Sequence, residues 1–385
     1  MSRSASLADT EVLPLAPLLA LAMTAFIIIL TEALPAGLLP QMAEGLAVSE
    51  AWVGQTVTIY AIGSLLAAIP LTAATQGMRR RPLLLIAIAG FVVANSVTTL
   101  STSYALTMLA RFLAGMSAGL LWALLAGYAA RMVPPHQQGR AIAVAMVGTP
   151  LALSLGVPAG TFLGALVGWR ICFAIMSGLA VLLMFWVRLQ VPDFVGQAQE
   201  KRLPLRQVFQ LPGVRSVLFV VLAFVLAHNI LYTYIAPFLG AVGMAERTGL
   251  VLLVFGLTSL LGIWFIGALI DRHLRMLTLT SIAVFALAAL ALGLAGKVPG
   301  IVYLAVGAWG LAFGGAATLF QTAMAKAAAH ATDVAQSMLV TAWNTAIAGG
   351  GIIGGVLLEQ LGVSAFAPVV LVLLVASFWV VLKSS

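Results

Sequence analysis

The sequence predicts an all-α integral membrane protein with twelve transmembrane helices in two six-helix bundles. Hydrophobic residues make up 62% of its 385 residues, and charged residues make up only 8%. A soluble domain has no core large enough to bury so much apolar surface. The apolar runs are about 20 residues or longer, which is the length that a helix needs to cross the hydrocarbon core of a bilayer.

Twelve apolar runs lie between charged or Pro/Gly-rich breaks. They cover residues 15–39, 51–73, 82–101, 104–130, 141–167, 169–190, 214–239, 248–270, 275–296, 299–325, 334–358 and 363–382. The longest polar stretch, residues 192–212, separates six runs from six and predicts a cytoplasmic linker between bundles at 1–191 and 213–385. Two halves of this kind are typical of alternating-access transporters, whose substrate site lies near the membrane midplane between the halves.

The distribution of basic residues predicts the topology. With the N-terminus inside, fifteen Lys and Arg residues fall on cytoplasmic segments, and only Arg170, Arg247 and Lys297 fall outside. By the positive-inside rule, both termini are expected in the cytoplasm of a multi-pass protein of the inner cell membrane. This topology accounts for the net charge of +8. Because the bases are scattered over short loops, nucleic acid is not an expected partner.

Glu32 is the one carboxylate inside an apolar run long enough to cross the bilayer. An ionisable group at membrane depth costs about 2.5 kcal/mol or more, so it is kept where water, substrate or a partner reaches it. Arg111, in the fourth run, lies at a similar depth. Glu32 is therefore predicted to carry protons, and Arg111 forms with it either a static buried ion pair or a pair that opens when a proton arrives.

Polar and aromatic side chains at membrane depth predict a substrate cavity. Four of them crowd one stretch of the seventh run, and one each lies in the fourth and eleventh runs. Most aromatic residues in helices serve packing, but tyrosine rings with hydroxyls suit an amphipathic or sugar-like ligand. The candidate cavity residues are Trp122, His228, Asn229, Tyr232, Tyr234 and Asn344.

Small residues recur every four positions in the fifth run. The ladder includes Gly148, Gly156, Gly160 and Gly164, and Pro158 within it predicts a bend. Such a stripe lets helices approach closely. It predicts either static helix packing or a smooth surface on which the two halves move.

The turn after the eighth run brings Asp271 together with Arg272 and Arg275. Asp271 is placed to cap the next helix and to pair with a cation in one conformation only, which predicts a conformational latch. A solvated charge cluster is the alternative. The matching turn of the first half has Thr75 or Gln76 where an acid is expected, so any latch there is expected to be weaker.

These motifs resemble those of the major facilitator superfamily over nearly the whole chain. The similar segments are Gly267 to Arg275 for the G-x-L-x-D-R loop, Arg111 to Gly115 for the fourth-span R-x-x-x-G signature, and Gly148 to Gly164 for the fifth-span antiporter signature. The nearest likeness is to the twelve-span drug:proton antiporter branch, which includes arabinose-efflux-permease-like and sugar-efflux transporters. Thr31 to Pro40, Gly168 to Phe173 and Tyr232 to Phe238 look like the sugar-efflux members in particular. The resemblance also implies a monomer.

The leading functional prediction is a proton-coupled exporter of a small organic solute, such as a sugar, a drug or a related metabolite. A proton-coupled uptake symporter on the same scaffold is one alternative, and a non-transporting membrane sensor or assembly protein is another. The expected partners are the solute, protons and the lipid bilayer. No G-x-x-x-x-G-K-S/T loop, H-E-x-x-H helix or C-x-x-C pair occurs, so an enzyme, a cofactor and a metal site are not expected.

Overall fold

The computed structural model describes residues 13–198 and 203–384, and this part of the chain is helical without a strand. Eleven of its helices are long and apolar enough to cross a membrane, and one of these is long enough to cross twice. The predicted all-α, twelve-span fold is confirmed. The spans are α1 (Leu15–Gly37), α2 (Glu50–Ala74), α3 (Arg80–Leu100), α4 (Tyr104–Arg131), α5 (Pro135–Val167), α6 (Trp169–Gln190), α7 (Val214–Thr233), α8 and α9 (248–272 and 274–295), α10 (Pro299–Ala327), α11 (Thr332–Leu361) and α12 (Phe366–Lys383).

The tight turn predicted after the eighth span is a kink within one helix. Thr248–Ala295 runs for 48 residues, and His273 interrupts its helical dihedral angles with φ −129° and ψ 28°. At 1.5 Å per residue this helix is about 70 Å long, more than twice the hydrocarbon thickness. The kink therefore divides it into two spans. Asp271 and Arg272 end α8, and Arg275 lies in the first turn of α9.

The described residues form two compact units. The first unit runs to Val208 and also includes Ala329–Thr341, whereas the second contains Phe209–Ala328 and the residues from Ala342 onwards. A short helix, Leu205–Gln210, lies where the chain passes from one unit to the other. The start of α11 thus belongs to the first unit and the remainder of this helix to the second.

The small-residue ladder of α5 packs directly against α1. A Cβ atom on Gly148 would overlap the carbonyl oxygen of Ala22, so the two backbones approach as closely as glycine allows. Further along α5, a Cβ atom on Gly156 would lie 2.8 Å from the ring of Phe26. Gly160 faces the side chain of Leu34 in α1, and Gly164 faces that of Leu38, the residue that follows α1. The ladder therefore holds α1, the helix that carries Glu32.

The regular hydrogen bonding of α5 is interrupted just before Pro158. Residues Ala152–Gly156 form a π turn, and an α-helix resumes over Val157–Val167. Because Pro158 has no N–H, it cannot donate to the carbonyl of Ser154 one helical turn earlier. A wider turn at this point accommodates the missing bond without ending the helix.

Gly148→Ala is expected to lower the free energy of unfolding by about 1–3 kcal/mol, because the added methyl group forces α1 and α5 apart. Gly178→Ala in α6 is the matched control, since a Cβ atom there meets nothing within 4 Å. This control should be neutral or stabilising by up to about 1 kcal/mol. Thermal unfolding of the purified proteins in detergent measures both. Equal stability of the two variants would contradict the close packing.

Candidate functional site

The hydrogen-bond ladder of α1 has a gap beside Glu32. Pro35 lies inside this helix and has no N–H, so the carbonyl of Thr31, four residues earlier, lacks its usual helical donor. Arg111 of α4 supplies one. Its Nη1 donates to the Thr31 carbonyl at 2.6 Å, and its Nη2 donates to the Glu32 carbonyl at 3.2 Å. The proline therefore allows Arg111 to bind the backbone that carries Glu32.

Arg111 is buried, and backbone carbonyl oxygens and the ring of Tyr60 surround its charge. Its Nε donates to the carbonyl of Thr56 in α2 at 3.4 Å, and its guanidinium lies 4.9 Å from the ring centroid of Tyr60. The hydroxyl of Tyr60 in turn donates to the carbonyl of Ile28 at 3.1 Å. This network joins α1, α2 and α4 around one buried cation.

The Glu32 side chain is not locked into an ion pair. The residue is partly exposed, whereas its neighbour Thr31 is fully buried and accepts a hydrogen bond from Asn95 Nδ2 at 3.2 Å. Within the described residues, no nitrogen of Arg111 lies within 4.0 Å of the Glu32 carboxylate. The two charges still interact electrostatically. The carboxylate thus lies near a fixed cation and has oxygens available to bind a proton.

Five aromatic rings of the second unit form a cluster, here called the aromatic cluster: His228, Tyr232, Phe255, Trp309 and Phe313. The imidazole of His228 stacks on Phe313 with ring centroids 3.5 Å apart, and it lies 5.1 Å from Tyr232 and 5.3 Å from Trp309. His228 and Tyr232 share one face of α7 because they are four residues apart. Tyr232 is 41% exposed and forms the accessible edge of the cluster.

Two nitrogens in the aromatic cluster are buried without a hydrogen bond. Among the described residues, neither His228 Nδ1 nor Trp309 Nε1 has a partner. An unsatisfied buried polar atom costs about 1–3 kcal/mol, so a hydrogen-bonding partner at either atom is stabilising. The cluster therefore combines the exposed ring of Tyr232 with two buried polar atoms that have no partner among the described residues.

The other predicted cavity residues lie elsewhere. Asn229 packs against Gly350 of α11 and donates to the carbonyl of Val225 at 2.8 Å. Tyr234 donates from its hydroxyl to the carbonyl of Gly351 at 2.6 Å. These two residues face the glycine-rich part of α11 and are not members of the aromatic cluster. Trp122 is half-buried in α4 of the first unit, and Asn344 is half-buried in α11 of the second.

A buried charge cluster lies in the first unit at the start of α11. Asp333 is 4% exposed and pairs with Arg80 of α3 at 3.1 Å and with Arg131 of α4 at 2.8 Å. The Arg80 side chain is only 1% exposed. The sequence predicts a weaker latch at the turn between α2 and α3 because an acid is absent from that turn. That prediction did not include Asp333, which lies far from the turn along the chain.

A second acid contacts the arginine-rich segment 79–81 at the start of α3, here called the basic turn. Asp193 accepts a hydrogen bond from Arg79 Nε at 2.6 Å and another from the backbone N–H of Arg81 at 3.0 Å. Burial alone would raise the pKa of Asp193, but these hydrogen bonds and the two arginine charges outweigh it and lower the pKa from its ordinary value. Asp193 therefore stays charged at neutral pH and holds the segment after α6 against the start of α3.

Comparison with known families supports one assignment. The model of the Major Facilitator Superfamily matches residues 21–354, which is most of the chain. The chain belongs to the major facilitator superfamily. This superfamily consists of membrane transporters of small solutes, and the protein is accordingly not an enzyme.

Superfamily members of known activity and structure resemble the chain along nearly its full length. The purine ribonucleoside efflux pump NepI of Escherichia coli is 28% identical over 340 residues, which cover 88% of this chain and 86% of the pump. The proton:xylose symporter XylE superposes with a TM-score of 0.79 at 15% identity, covering 95% of this chain and 94% of that chain. The E. coli fucose:proton symporter FucP superposes with a TM-score of 0.75 at 15% identity, covering 97% of this chain and 100% of that chain. Identities this low show the shared fold alone.

Sequence reasoning singled out Glu32 and Arg111 in this superfamily member but not the residues that complete their surroundings. Pro35, four residues after Thr31, indicates that the carbonyl of Thr31 lacks a helical donor and can accept a hydrogen bond from a buried arginine. Asp333 also leaves a signal, because it is an acid in the first turn of an apolar helix. Its pairing with Arg131, 202 residues earlier, has no local signature.

Proposed function

We propose that this transporter exports a small organic solute in exchange for protons across the cytoplasmic membrane. The observation that carries the proposal is Glu32, a partly exposed carboxylate held beside a buried arginine without being bonded to it. The approach of a cation favours the charged carboxylate, whereas a drier environment favours the protonated acid. A conformational change that alters the surroundings of Glu32 therefore loads and releases a proton.

The cycle alternates between two states of Glu32. A proton taken from the outer face neutralises the carboxylate, and its release to the cytoplasm restores the charge next to Arg111. A membrane potential adds about 2.3 kcal/mol per charge per 100 mV when the cycle moves net charge. Arg111 itself stays in place because three backbone carbonyls hold it. In this proposal the protein works as a monomer with both termini in the cytoplasm.

Two observations favour export over uptake. NepI, which is 28% identical, is named an efflux pump, whereas the symporters XylE and FucP are only 15% identical. In addition, the α5 ladder resembles the antiporter signature. The likeness to NepI makes purine ribonucleosides the first solutes to test. The aromatic cluster suits such solutes, because the exposed ring of Tyr232 offers a stacking surface and His228 and Trp309 offer buried polar nitrogens.

The experiment uses the purified protein in liposomes with an acidic lumen. A proton:solute antiporter accumulates labelled inosine or adenosine inside as protons leave, and a lumenal pH dye reports the coupled proton movement. Accumulation only with an acidic exterior indicates a symporter and contradicts the proposal. The absence of flux for nucleosides, sugars and amphenicol-type drugs indicates a sensor or assembly protein and also contradicts it.

His228→Phe is expected to weaken nucleoside binding by about two- to tenfold, the loss of one hydrogen bond of about 0.5–1.5 kcal/mol. Phenylalanine keeps the stacking on Phe313 and Tyr232 but removes the ring nitrogens. Tyr303→Phe in α10 is the matched control, because it removes a polar atom from a residue outside the aromatic cluster. It should leave the affinity for inosine unchanged. The inosine concentration that gives half-maximal transport measures the affinity of both variants. An unchanged affinity in His228→Phe would exclude His228 from the substrate site.

A further inference from the structure

One end of the second unit contains a cavity that combines basic side chains with an apolar wall. The cavity has a volume of about 440 Å³ and lies between the start of α7, the start of α9, the end of α10 and the end of α12. The positive-inside rule assigns this end to the cytoplasm. The lining that matters here is Ser216, Arg275, Thr278, Phe320, Lys326 and Val381.

A second cavity of about 400 Å³ adjoins the first and shares Ser216 and Ser384 with it. It adds Lys383, whose ammonium lies 5.4 Å from the ring centroid of Trp379. Trp379 is 56% exposed. The two cavities together form one basic cavity.

The charged residues that line the basic cavity within the described part of the chain are all basic. Arg275, Lys326 and Lys383 are all exposed, and no carboxylate is among the described residues that line either part. Arg275 donates from Nη2 to the carbonyl of Leu382 at 2.7 Å. This bond orients the guanidinium toward α12 and leaves its other N–H groups for an anion.

We propose that the basic cavity binds the phosphate of an acidic phospholipid of the inner leaflet, with an acyl chain along the apolar wall. Lys and Arg at the cytoplasmic membrane surface attract anionic lipids, and basic pockets between transmembrane helices bind their head groups. Trp379 lies one helical turn before the end of α12, and tryptophan is enriched where transmembrane helices end at the membrane interface. A soluble anion gains nothing from the half-buried side chains of Val217 and Leu274 or from the exposed ring of Trp379, whereas a lipid covers them. The bound lipid joins the ends of α7, α9, α10 and α12.

Native mass spectrometry of the full-length protein in detergent, with equimolar phosphatidylglycerol and phosphatidylcholine, tests the proposal. The wild type is expected to retain phosphatidylglycerol preferentially. Lys326→Gln/Lys383→Gln should bind it roughly fivefold more weakly for each lysine removed. This double variant keeps Arg275 and its bond to Leu382, so the cavity retains its shape.

Arg247→Gln/Lys297→Gln is the matched control. It removes the same charge from two exposed bases at the opposite end of the second unit and should leave lipid binding unchanged. Equal retention of both lipids by the wild type overturns the proposal, and so does an equal loss in the two double variants. Displacement of phosphatidylglycerol by millimolar inorganic phosphate assigns the site to a soluble anion and also overturns it. If the double variant does not fold, Lys326→Gln alone carries the prediction, with roughly fivefold weaker binding.

Discussion

Glu32→Gln is expected to abolish proton-driven solute accumulation while the protein remains folded. Glutamine has nearly the shape of the carboxylate but does not bind and release a proton near neutral pH. The bonds from Arg111 go to the carbonyls of Thr31 and Glu32, and this substitution retains both. The free energy of unfolding should therefore change by less than about 1 kcal/mol. The amount of labelled nucleoside that accumulates in liposomes with an acidic lumen should fall to the amount found in protein-free liposomes.

Two controls separate lost coupling from lost function. Glu44→Gln removes an exposed carboxylate on the short helix Leu39–Leu46, and it should transport like the wild type. Solute movement down its own gradient shows whether Glu32→Gln still undergoes the conformational cycle. Proton-driven accumulation that survives in Glu32→Gln would show that Glu32 is not the proton carrier.

Asp333→Asn is expected to lower the free energy of unfolding by about 3–5 kcal/mol, because it leaves a buried cation without its partner. Arg80 is 1% exposed and cannot recover the lost interaction from water, whereas Arg131 is 29% exposed and partly can. The substitution also loosens the start of α11, which these ion pairs hold in the first unit. Thermal unfolding of the purified protein measures the change.

Asp193→Asn is the control for Asp333→Asn. It removes the same charge from the same basic turn, but Arg79, its ion-pair partner, is 60% exposed. Water and salt screen such a pair, so the loss should stay within about 1 kcal/mol. A larger loss for Asp193→Asn than for Asp333→Asn would show that burial does not set the strength of these pairs.

Much of the fold was readable from local sequence. The length of each apolar run predicts a span, and the run at 214–239 and the helix Val214–Thr233 begin together. The break predicted at 271–275 is present but reduced to the single residue His273, because Asp-Arg-His-Leu-Arg contains no residue that stops a helix. The π turn before Pro158 was foreseen only as a bend, since the sequence shows that a bond is missing but not how the backbone compensates.

The candidate site was readable to a smaller extent. The isolation of Glu32 in an apolar run follows from composition alone and marks it whatever its neighbours are. Four polar and aromatic residues of the seventh span were grouped by their closeness along the chain. The structure separates them by helix face: His228 and Tyr232 join the aromatic cluster, whereas Asn229 and Tyr234 pack against α11.

The sequence by itself determined the membrane class, the twelve spans and the acid within the first span. Apolar length and an isolated charge are local properties, and both directly set the cost of placing a segment in the bilayer. Only the tertiary structure decided that Arg111 binds the backbone of α1 and that Asp333 pairs with two arginines of the first unit. The physical reason is that a buried charge takes its partner from whichever helix packs beside it. That neighbour depends on the packing of whole helices and not on distance along the chain.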